Sequence, residues 1–505
     1  MTAASLDLKS RAASRADQAT NVAELARETM AQYADRLAFV ISDESRTQLT
    51  FGEVGELVDR FTAGLDALRM TEGARVLLLA PPTPQIFAMV VALLRIGHTL
   101  VTIDGRSDAR RIRHSLNKAA ADVVIGSPRA MRWWPFFRAL RRAQRFTVGA
   151  SVLGTRPFDE LLGSPTASKR RPAIWGDSAA VISFSSGNTG LPKRIARSHG
   201  VLLAQHRALL DAFPLPESDV NLPGFPLAVL HNLCRGTTTV LPSADLRSMA
   251  GSDHESVLRT IRDRQVTSMS GGPAFLGQLA TRLLSRGESM HEVQRIVVGG
   301  GPVSRRLAIE ILAAFPLADA RVVYGATEAE PIATARLNEI IDAESSAEGF
   351  LAGWPVSDID VRIDGTDGIG ELLVRGPHVI PSSHDGWYRT GDICRLDDRG
   401  RLWLLGRTGA EVQHGDAVIH PFTIEARAAC LPGVAASAFV AHNDAPDGEL
   451  MVQLAPDASE YVVTASARAL VDNLSVRVID EIPMDARHQS KVDRAALIRR
   501  IERSR

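Results

Sequence analysis

Short apolar runs alternate with longer amphipathic stretches from the start of the chain to about Gly349. Stretches such as 86–95 and 255–264 repeat apolar residues every three or four positions and therefore predict helices. The apolar runs between such stretches predict strands at 75–79, 100–103, 123–125, 181–184, 238–241, 296–298 and 321–324. This order of elements predicts parallel sheets covered by helices, with ligands at the carboxyl ends of the strands.

After Gly349 the pattern changes to short β-rich segments separated by tight turns. Segments 361–365, 370–376 and 401–405 predict strands, and Asp398-Arg399-Gly400 predicts a hairpin turn. A separate α+β unit of roughly a hundred residues follows Arg407 and ends in an arginine-rich helix. We therefore predict an α/β fold. Its large N-terminal domain, residues 1–408, combines parallel βα-layered sheets with a small β-barrel-like part, and a small α+β domain covers 409–505.

Composition excludes several classes of protein. The 505 residues include 58 basic and 58 acidic side chains, so no excess charge calls for a nucleic acid partner. Cys234, Cys394 and Cys430 lack metal-site spacing and are expected to be reduced thiols. No apolar stretch has the length of a membrane span, and the N-terminus has no signal-like apolar core. We therefore predict a cytoplasmic protein.

The loop after the apolar run 179–184 combines glycines, hydroxyl side chains and one lysine. Its glycines let backbone N–H groups approach phosphate oxygens, hydroxyls add donors, and the lysine adds a positive charge. The spacing differs from a Walker P-loop, which requires Gly-Lys-Ser/Thr before a helix. By composition alone, a surface turn remains the alternative. The predicted phosphate-binding residues are Ser185, Ser186, Gly187, Asn188, Thr189, Gly190 and Lys193.

Four further motifs follow this loop along the chain. They are Val298-Gly299-Gly300-Gly301-Pro302, Tyr324-Gly325-Ala326-Thr327-Glu328, Trp387-Tyr388-Arg389-Thr390-Gly391-Asp392 with Leu405-Gly406-Arg407, and Ser490-Lys491-Val492. Together, and in this order, they resemble the adenylate-forming superfamily of acyl-CoA synthetases, luciferases and peptide-synthetase adenylation domains. Asn188 and Arg194 depart from the usual loop, where a hydroxyl residue and a glycine stand.

The resemblance implies ATP and Mg²⁺ as cofactors and assigns roles to the matching positions. Thr327 would bond the α-phosphate, and Glu328 would hold Mg²⁺, a cation that prefers carboxylate and phosphate oxygens. Lys491 would bridge the substrate carboxylate and the α-phosphate as charge develops, from a C-terminal domain that acts as a mobile lid. The Asp392 carboxylate would accept both ribose hydroxyls. The full adenine and ribose set is Gly300, Gly301, Pro302, Tyr324, Gly325, Asp392 and Arg407.

Several local strings resemble one subgroup, the olefin-pathway β-lactone synthetases. Val412-Gln413 follows the hinge at Gly409, Ile125-Gly126-Ser127-Pro128 recurs there, and Arg487-His488-Gln489-Ser490 precedes the lysine. The implied function is adenylation of a β-hydroxy, long-chain acid followed by closure of the acyl-AMP to a β-lactone. The alternatives are a fatty acyl-CoA or acyl-carrier-protein ligase and a non-catalytic nucleotide-binding scaffold. Lys491 argues against the scaffold, which has no chemical need for it.

Two features remain open between a functional and a purely structural role. His231 is a candidate base for the β-hydroxyl, or a histidine that lines the pocket. Basic and aromatic residues interleave over 131–146 in a pattern typical of an interfacial helix or a docking helix. The alternative is an arginine-rich helix whose aromatic side chains cover a neighbouring strand. The first version predicts membrane contact through residues 133–137; an acyl chain or an enzyme of the same pathway is the other partner considered.

Overall fold

The structure, a computed structural model, describes residues 21–42, 47–105, 107–164, 174–186, 191–214, 216, 218–242, 253–343, 349–485 and 490–503. Its strands are β1 Leu37–Ser42, β2 Gln48–Thr50, β3 Arg75–Leu79, β4 Thr99–Thr102, β5 Val123–Gly126, β6 Gln144–Thr147, β7 Arg156–Pro157, β8 Ala179–Ser186, β9 Pro192–Ser198, β10 Val220–Leu222, β11 Thr238–Pro242, β12 Ser268–Gly271, β13 Arg295–Gly299, β14 Asp319–Ala326, β15 Ala329–Arg336, β16 Phe350–Pro355, β17 Asp360–Thr366, β18 Ile369–Arg375, β19 Tyr388–Leu396, β20 Leu402–Arg407, β21 Val412–His414, β22 Ala417–Ile419, β23 Val434–His442, β24 Ala445–Leu454 and β25 Ser475–Val478.

The helices of the described residues are α1 Val22–Gln32, α2 Phe51–Ala67, α3 Pro84–Arg95, α4 Ala109–Ala119, α5 Pro128–Met131, α6 Arg138–Arg141, α7 His199–Ala212, α8 Pro226–Arg235, α9 His254–Asp263, α10 Pro273–Leu284, α11 Arg305–Ala314, α12 Leu337–Asp342, α13 Pro421–Ala428, α14 Glu460–Arg468 and α15 Arg494–Arg503. Within these residues, no helix combines the length and the apolar character needed to cross a membrane. The chain divides into two compact units, unit 1 (1–248 and 255–268) and unit 2 (249–254 and 269–505).

Unit 1 contains a seven-stranded sheet in the order β7-β6-β5-β3-β4-β8-β9. All neighbours pair in parallel except β8 and β9, which form an antiparallel hairpin. Helix α3 begins at Pro84, and the Thr83 side chain caps it by accepting a hydrogen bond from the Ile86 amide. Nearly all residues of α3 are buried. An apolar helix of this kind belongs inside the protein, between layers of other elements. A second group of strands in unit 1 runs β10-β11-β1-β2, with β2 antiparallel to β1.

Unit 2 begins with the parallel pair β13 and β14 and continues with antiparallel strands in the order β15-β16-β20-β19-β18-β17. Buried residues on these strands form one cluster that includes Ile332, Leu372 and Tyr388. The C-terminal part has its own three-stranded sheet of β23, β24 and β25. Its apolar side chains, including Phe439 and Leu450, form a separate core with α13 and α14.

These observations confirm the predicted α/β fold class, with parallel sheets in the larger N-terminal part and a smaller α/β part at the C-terminus. The strand predicted at 75–79 is observed with those bounds, and the other six lie within one or two residues of their predicted positions. The hairpin turn at Asp398-Arg399-Gly400 joins β19 to β20. The domain boundary at 408/409 falls within unit 2 and stays a prediction.

The helical interpretations of 131–146 hold only in part. The segment is divided into α5, a 3-10 turn at Trp134–Phe136, α6 and strand β6. Pro135 stands inside the 3-10 turn, where its missing N–H breaks no helical hydrogen bond. Residues 144–147 instead complete the parallel pairing with β5, which buries Phe146.

Candidate active site

The predicted phosphate-binding loop joins β8 to β9 in unit 1. In this hairpin Ser185 is paired with Lys193 and Ser186 with Pro192. The prediction that the loop follows a strand is therefore confirmed, and the hairpin differs from the strand-to-helix turn of a Walker P-loop. Lys193 is exposed. Four predicted phosphate ligands, Gly187, Asn188, Thr189 and Gly190, lie outside the described residues.

A buried arginine stands on the strand that leaves this loop. Arg197, on β9, donates a hydrogen bond of 3.1 Å to the Ser183 hydroxyl on β8. Neither side chain was predicted as a site residue, because an arginine at the end of a basic strand segment gives no signal that it is buried. The arginine lies near His231, whose pKa it helps to lower.

His231 is on α8 and pairs with His206 on α7. The two Nδ1 atoms are 3.2 Å apart, and the rings stack with an angle of 6° between their planes. One of these nitrogens therefore carries the shared proton and the other accepts it. Burial, with the charges of Arg197 and Arg235, lowers the pKa of His231 to about 3. Burial also lowers the pKa of His206 well below its usual range. Both rings are therefore neutral at pH 7.

Thr327 and Glu328 occupy the two-residue tip of the hairpin between β14 and β15, because Ala326 pairs with Ala329. The Glu328 side chain is almost fully buried, and its carbonyl oxygen accepts a hydrogen bond of 2.8 Å from the Ile380 amide. Gly325 precedes the turn. A Cβ atom at this position would lie 2.9 Å from the Ala329 carbonyl oxygen, so a side chain would distort the hairpin. The glycine of the motif is thus explained by the tight return of the chain.

The Asp392 carboxylate on β19 is held by two side chains from other strands. Tyr324 on β14 donates a hydrogen bond of 2.6 Å to one oxygen, and Arg407 on β20 donates one of 2.7 Å to the other. Burial and the Asp392 charge raise the pKa of the Tyr324 hydroxyl well above its usual range, so the hydroxyl keeps its proton and donates. Three residues predicted to bind adenine and ribose are therefore brought together in one hydrogen-bonded group.

A fourth residue of this region, Tyr388, was not predicted as a site residue. Burial and the neighbouring Glu328 carboxylate raise the pKa of its hydroxyl. The signal for this residue was present, since Tyr388 stands within the Tyr-Arg-Thr-Gly-Asp string that contains Asp392. Tyr388 thus links the hairpin tip to the strand that carries Asp392.

The segment before the predicted catalytic lysine contacts the glycine loop that follows β13. Gly300 has a positive φ of 87°. A Cβ atom on Gly301 would lie 2.7 Å from the Ser490 Cβ and 2.8 Å from its carbonyl oxygen. The Ser490 hydroxyl also accepts a hydrogen bond of 3.5 Å from the Ala274 amide. The absence of a side chain at Gly301 therefore lets the chain next to Lys491 approach this loop.

Asp485 closes the loop that carries Lys491. Its carboxylate accepts hydrogen bonds of 2.9 and 2.8 Å from the amides of Ser490 and Lys491, and its own amide donates to the Lys491 carbonyl at 2.7 Å. The Lys491 side chain is exposed. The backbone is thus fixed by three hydrogen bonds while the ammonium group stays accessible to a ligand.

The donor set around Glu328 suits a magnesium ion bound together with ATP. Among the described residues, no group of three or more histidine, cysteine or carboxylate side chains forms a metal cage. Magnesium typically uses only one or two protein carboxylates and completes its shell with water and substrate phosphates. One buried carboxylate at a hairpin tip is compatible with that mode of binding.

Comparison with known proteins decides the family. Residues 26–382 match the AMP-binding enzyme family, which is more than two thirds of the chain. The chain belongs to the AMP-binding enzyme family. It is therefore an AMP-forming ligase of a family whose enzymes use ATP, and its substrate is a small acyl molecule.

Individual relatives show the same architecture with different named activities. An olefin β-lactone synthetase of Stenotrophomonas maltophilia is 27% identical over 507 residues, covering 89% of this chain and 90% of its own. A long-chain-fatty-acid–CoA ligase of Thermus thermophilus is 26% identical, covering 78% and 77%. The amide bond synthetase McbA from Marinactinospora thermotolerans superimposes with a TM-score of 0.80 at 19% identity, over 95% of this chain and 99% of that one. This last similarity shows the common fold.

Proposed function

We propose that this AMP-forming ligase activates a β-hydroxy carboxylic acid with ATP and closes the product to a β-lactone. A carboxylate oxygen of the acid attacks the α-phosphorus of ATP, and pyrophosphate leaves. The β-hydroxyl oxygen of the same molecule then attacks the acyl carbonyl carbon, and the bond to AMP breaks. The hydroxyl proton is released, and the products are the lactone, AMP and pyrophosphate.

The similarity to an olefin β-lactone synthetase over nearly the full length of both chains carries the lactone part of this proposal. Local features support the same reading. The Val412-Gln413 string after the hinge and the Arg487-His488-Gln489-Ser490 string before the lysine resemble those of the same group. An intramolecular nucleophile also suits an enzyme without a second substrate, because an effect on the order of 7–11 kcal/mol can come from positioning alone. The reaction therefore needs no CoA.

For the first step we assign the nucleotide to the residues of unit 2. The Asp392 carboxylate takes the ribose hydroxyls, with Tyr324 and Arg407 fixing its orientation through the hydrogen bonds described above. Thr327 at the hairpin tip bonds the α-phosphate, and Glu328 would hold Mg²⁺, which would neutralise phosphate charge. The Lys491 ammonium stabilises the negative charge that develops during attack on phosphorus, an effect typically worth a few kcal/mol.

The structure changes the role that we propose for His231. A general base works best with a pKa near the operating pH, and a pKa of about 3 is far below it. The Nε2 atom of His231 is buried and, within the described residues, has no hydrogen-bond partner. A buried polar atom of this kind normally requires one. We therefore propose that His231 forms a hydrogen bond with a polar group of the acid and leaves proton removal to another group.

Thioester formation is the second candidate function. Similarity to a long-chain-fatty-acid–CoA ligase supports it, and so does the hinge. Gly409 has a positive φ of 79°, and glycine has the backbone freedom that a hinge needs. Such rotation would let one chain serve two half-reactions. The alternative of a non-catalytic nucleotide-binding scaffold is excluded, because the chain is an AMP-forming ligase.

Paired acids of equal chain length, with and without the β-hydroxyl, test the proposal. Both should support ATP–pyrophosphate exchange, because both carry the carboxylate that attacks phosphorus. Without CoA, only the hydroxy acid should give continuous release of AMP, since the plain acid stops at the bound adenylate. Continuous AMP release that requires CoA for both acids would favour the thioester ligase. Absence of exchange with any acid would contradict adenylation itself.

A further inference from the structure

A basic and aromatic surface lies on unit 1, and it includes none of the residues assigned to the reaction above. The sequence between Val123 and Phe158 contains seven arginines and no aspartate or glutamate. Six of these arginines are exposed; Arg156 pairs with Glu160, and the other five form no ion pair within the described residues. They are Arg129, Arg132, Arg138, Arg141 and Arg142. Their charges are therefore available to an external partner.

Aromatic side chains of the same segment divide into an inner and an outer pair. Trp134 and Phe137 pack against the buried cluster that contains Met131 and Leu140. Trp133 and Phe136 point outward, with exposed fractions of 59% and 73%, and their ring centroids are 5.9 Å apart. Large apolar side chains left in contact with water beside one another are a common mark of an interaction site.

Contacts of the inner pair and of Arg145 fix this segment to the rest of unit 1. The Trp134 indole donates a hydrogen bond of 3.0 Å to the Leu153 carbonyl, and the Arg145 guanidinium lies 4.2 Å above the Trp134 ring. Arg145 also donates to the Gly154 carbonyl at 3.0 Å, which fixes the adjoining loop. The Leu153 side chain on that loop is 94% exposed. Trp133, Phe136, Leu153 and the five exposed arginines form what we call the basic aromatic patch.

We propose that the basic aromatic patch binds the surface of a bilayer that contains anionic lipids. Exposed tryptophan and phenylalanine side chains enter the boundary between headgroups and acyl chains, and surrounding arginines are attracted by anionic headgroups. An acidic protein is the other occupant considered; basic residues interleaved with Trp and Phe side chains are the pattern of interfacial membrane segments, so we favour the bilayer. The proposal concerns peripheral binding and does not depend on the acyl product.

Sedimentation of the full-length protein with vesicles tests this proposal. Vesicles of phosphatidylcholine with 30% phosphatidylglycerol, about the anionic content of many membranes, are compared with pure phosphatidylcholine. We expect at least tenfold stronger binding to the anionic vesicles, weakened by added salt. Trp133→Ala/Phe136→Ala and Arg138→Gln/Arg141→Gln/Arg142→Gln should each reduce this binding at least tenfold.

Matched controls come from helix α14 in unit 2. Tyr461→Ala removes a side chain that is 84% exposed, and Arg468→Gln removes an exposed charge, so neither should change vesicle binding. ATP–pyrophosphate exchange without lipid should be unchanged in every variant, which shows that each one folds. Equal binding to both vesicle types, or undiminished binding of both patch variants, would overturn the proposal. Binding to soluble polyglutamate but not to vesicles would overturn it in favour of an acidic protein.

Discussion

Substitution of Gly301 by alanine tests whether the glycine loop positions the segment that carries Lys491. The added Cβ would lie 2.7 Å from the Ser490 Cβ and 2.8 Å from its carbonyl oxygen, whereas ordinary contacts begin at 3.4 Å. Either the loop or the segment must therefore shift by about 0.6–1 Å. A displacement of this size at a reacting group reduces the rate by about tenfold to a hundredfold, or about 1.4–2.7 kcal/mol.

The assay is ATP–pyrophosphate exchange with a saturating acid, measured for Gly301→Ala and for a matched glycine variant. Gly176→Ala is the control, because its new Cβ would meet only the Gly200 Cα atom at 3.9 Å. The control should retain full activity. Thermal unfolding should change little in the control, and its measurement in Gly301→Ala separates lost positioning from lost stability at the buried Ser490.

A double-mutant cycle with Lys491→Ala identifies the cause of the loss. If Gly301→Ala acts by displacing Lys491, it should reduce the exchange rate by less than about threefold in the Lys491→Ala background. An equal factor in both backgrounds would show that Gly301 acts on the nucleotide alone and would refute the reasoning. Full activity of Gly301→Ala would refute the close approach itself.

Three further predictions concern other residues. Tyr324→Phe removes the 2.6 Å hydrogen bond to Asp392 and should weaken AMP binding by about tenfold in calorimetry; unchanged affinity would contradict the proposed ribose site. His231→Gln keeps a hydrogen-bonding group and should retain more lactone formation than His231→Ala, whereas equal loss in both would restore the histidine as a base. Burial lowers the pKa of His199 to about 4, so the unfolded chain binds a proton that the folded chain does not between pH 6.5 and 4. Stability should therefore fall by about 2 kcal/mol from pH 6.5 to 5 through this residue, and denaturant unfolding of His199→Asn should show a shallower acid slope; an identical slope would contradict this.

Strands were predicted well where the spacing of apolar residues follows the geometry of the strand. Residues 76–79 are all apolar because the middle of β3 is buried on both faces, and the predicted bounds 75–79 agree with the structure. The Thr327-Glu328 pair was predicted at the end of a strand, and the structure adds that it forms the tip of a two-residue hairpin. A motif of consecutive residues can be placed from the sequence because its residues stay next to one another in the fold.

Contacts between distant segments could not be predicted in the same way. His206 and His231 lie on different helices, and only the packing of those helices brings their Nδ1 atoms to 3.2 Å from each other. The approach of Ser490 to Gly301 likewise depends on the tertiary fold. Over 131–146, alternation of basic and aromatic residues suggested one helix. Residues 144–147 form a strand because β6 pairs with β5. The local sequence pattern holds no information about this pairing.

The central claim is that the carboxylate is adenylated and that the β-hydroxyl then displaces AMP. A β-hydroxy long-chain acid with both carboxylate oxygens replaced by ¹⁸O, incubated with ATP and Mg²⁺ without CoA, tests it by mass spectrometry. We expect one label in AMP and one in a lactone lighter than the acid by one labelled water, with both products strongly reduced in Lys491→Ala. Both labels in the lactone and none in AMP would show that the hydroxyl had been activated instead. No lactone without CoA, and a thioester with it, would contradict the proposed closure.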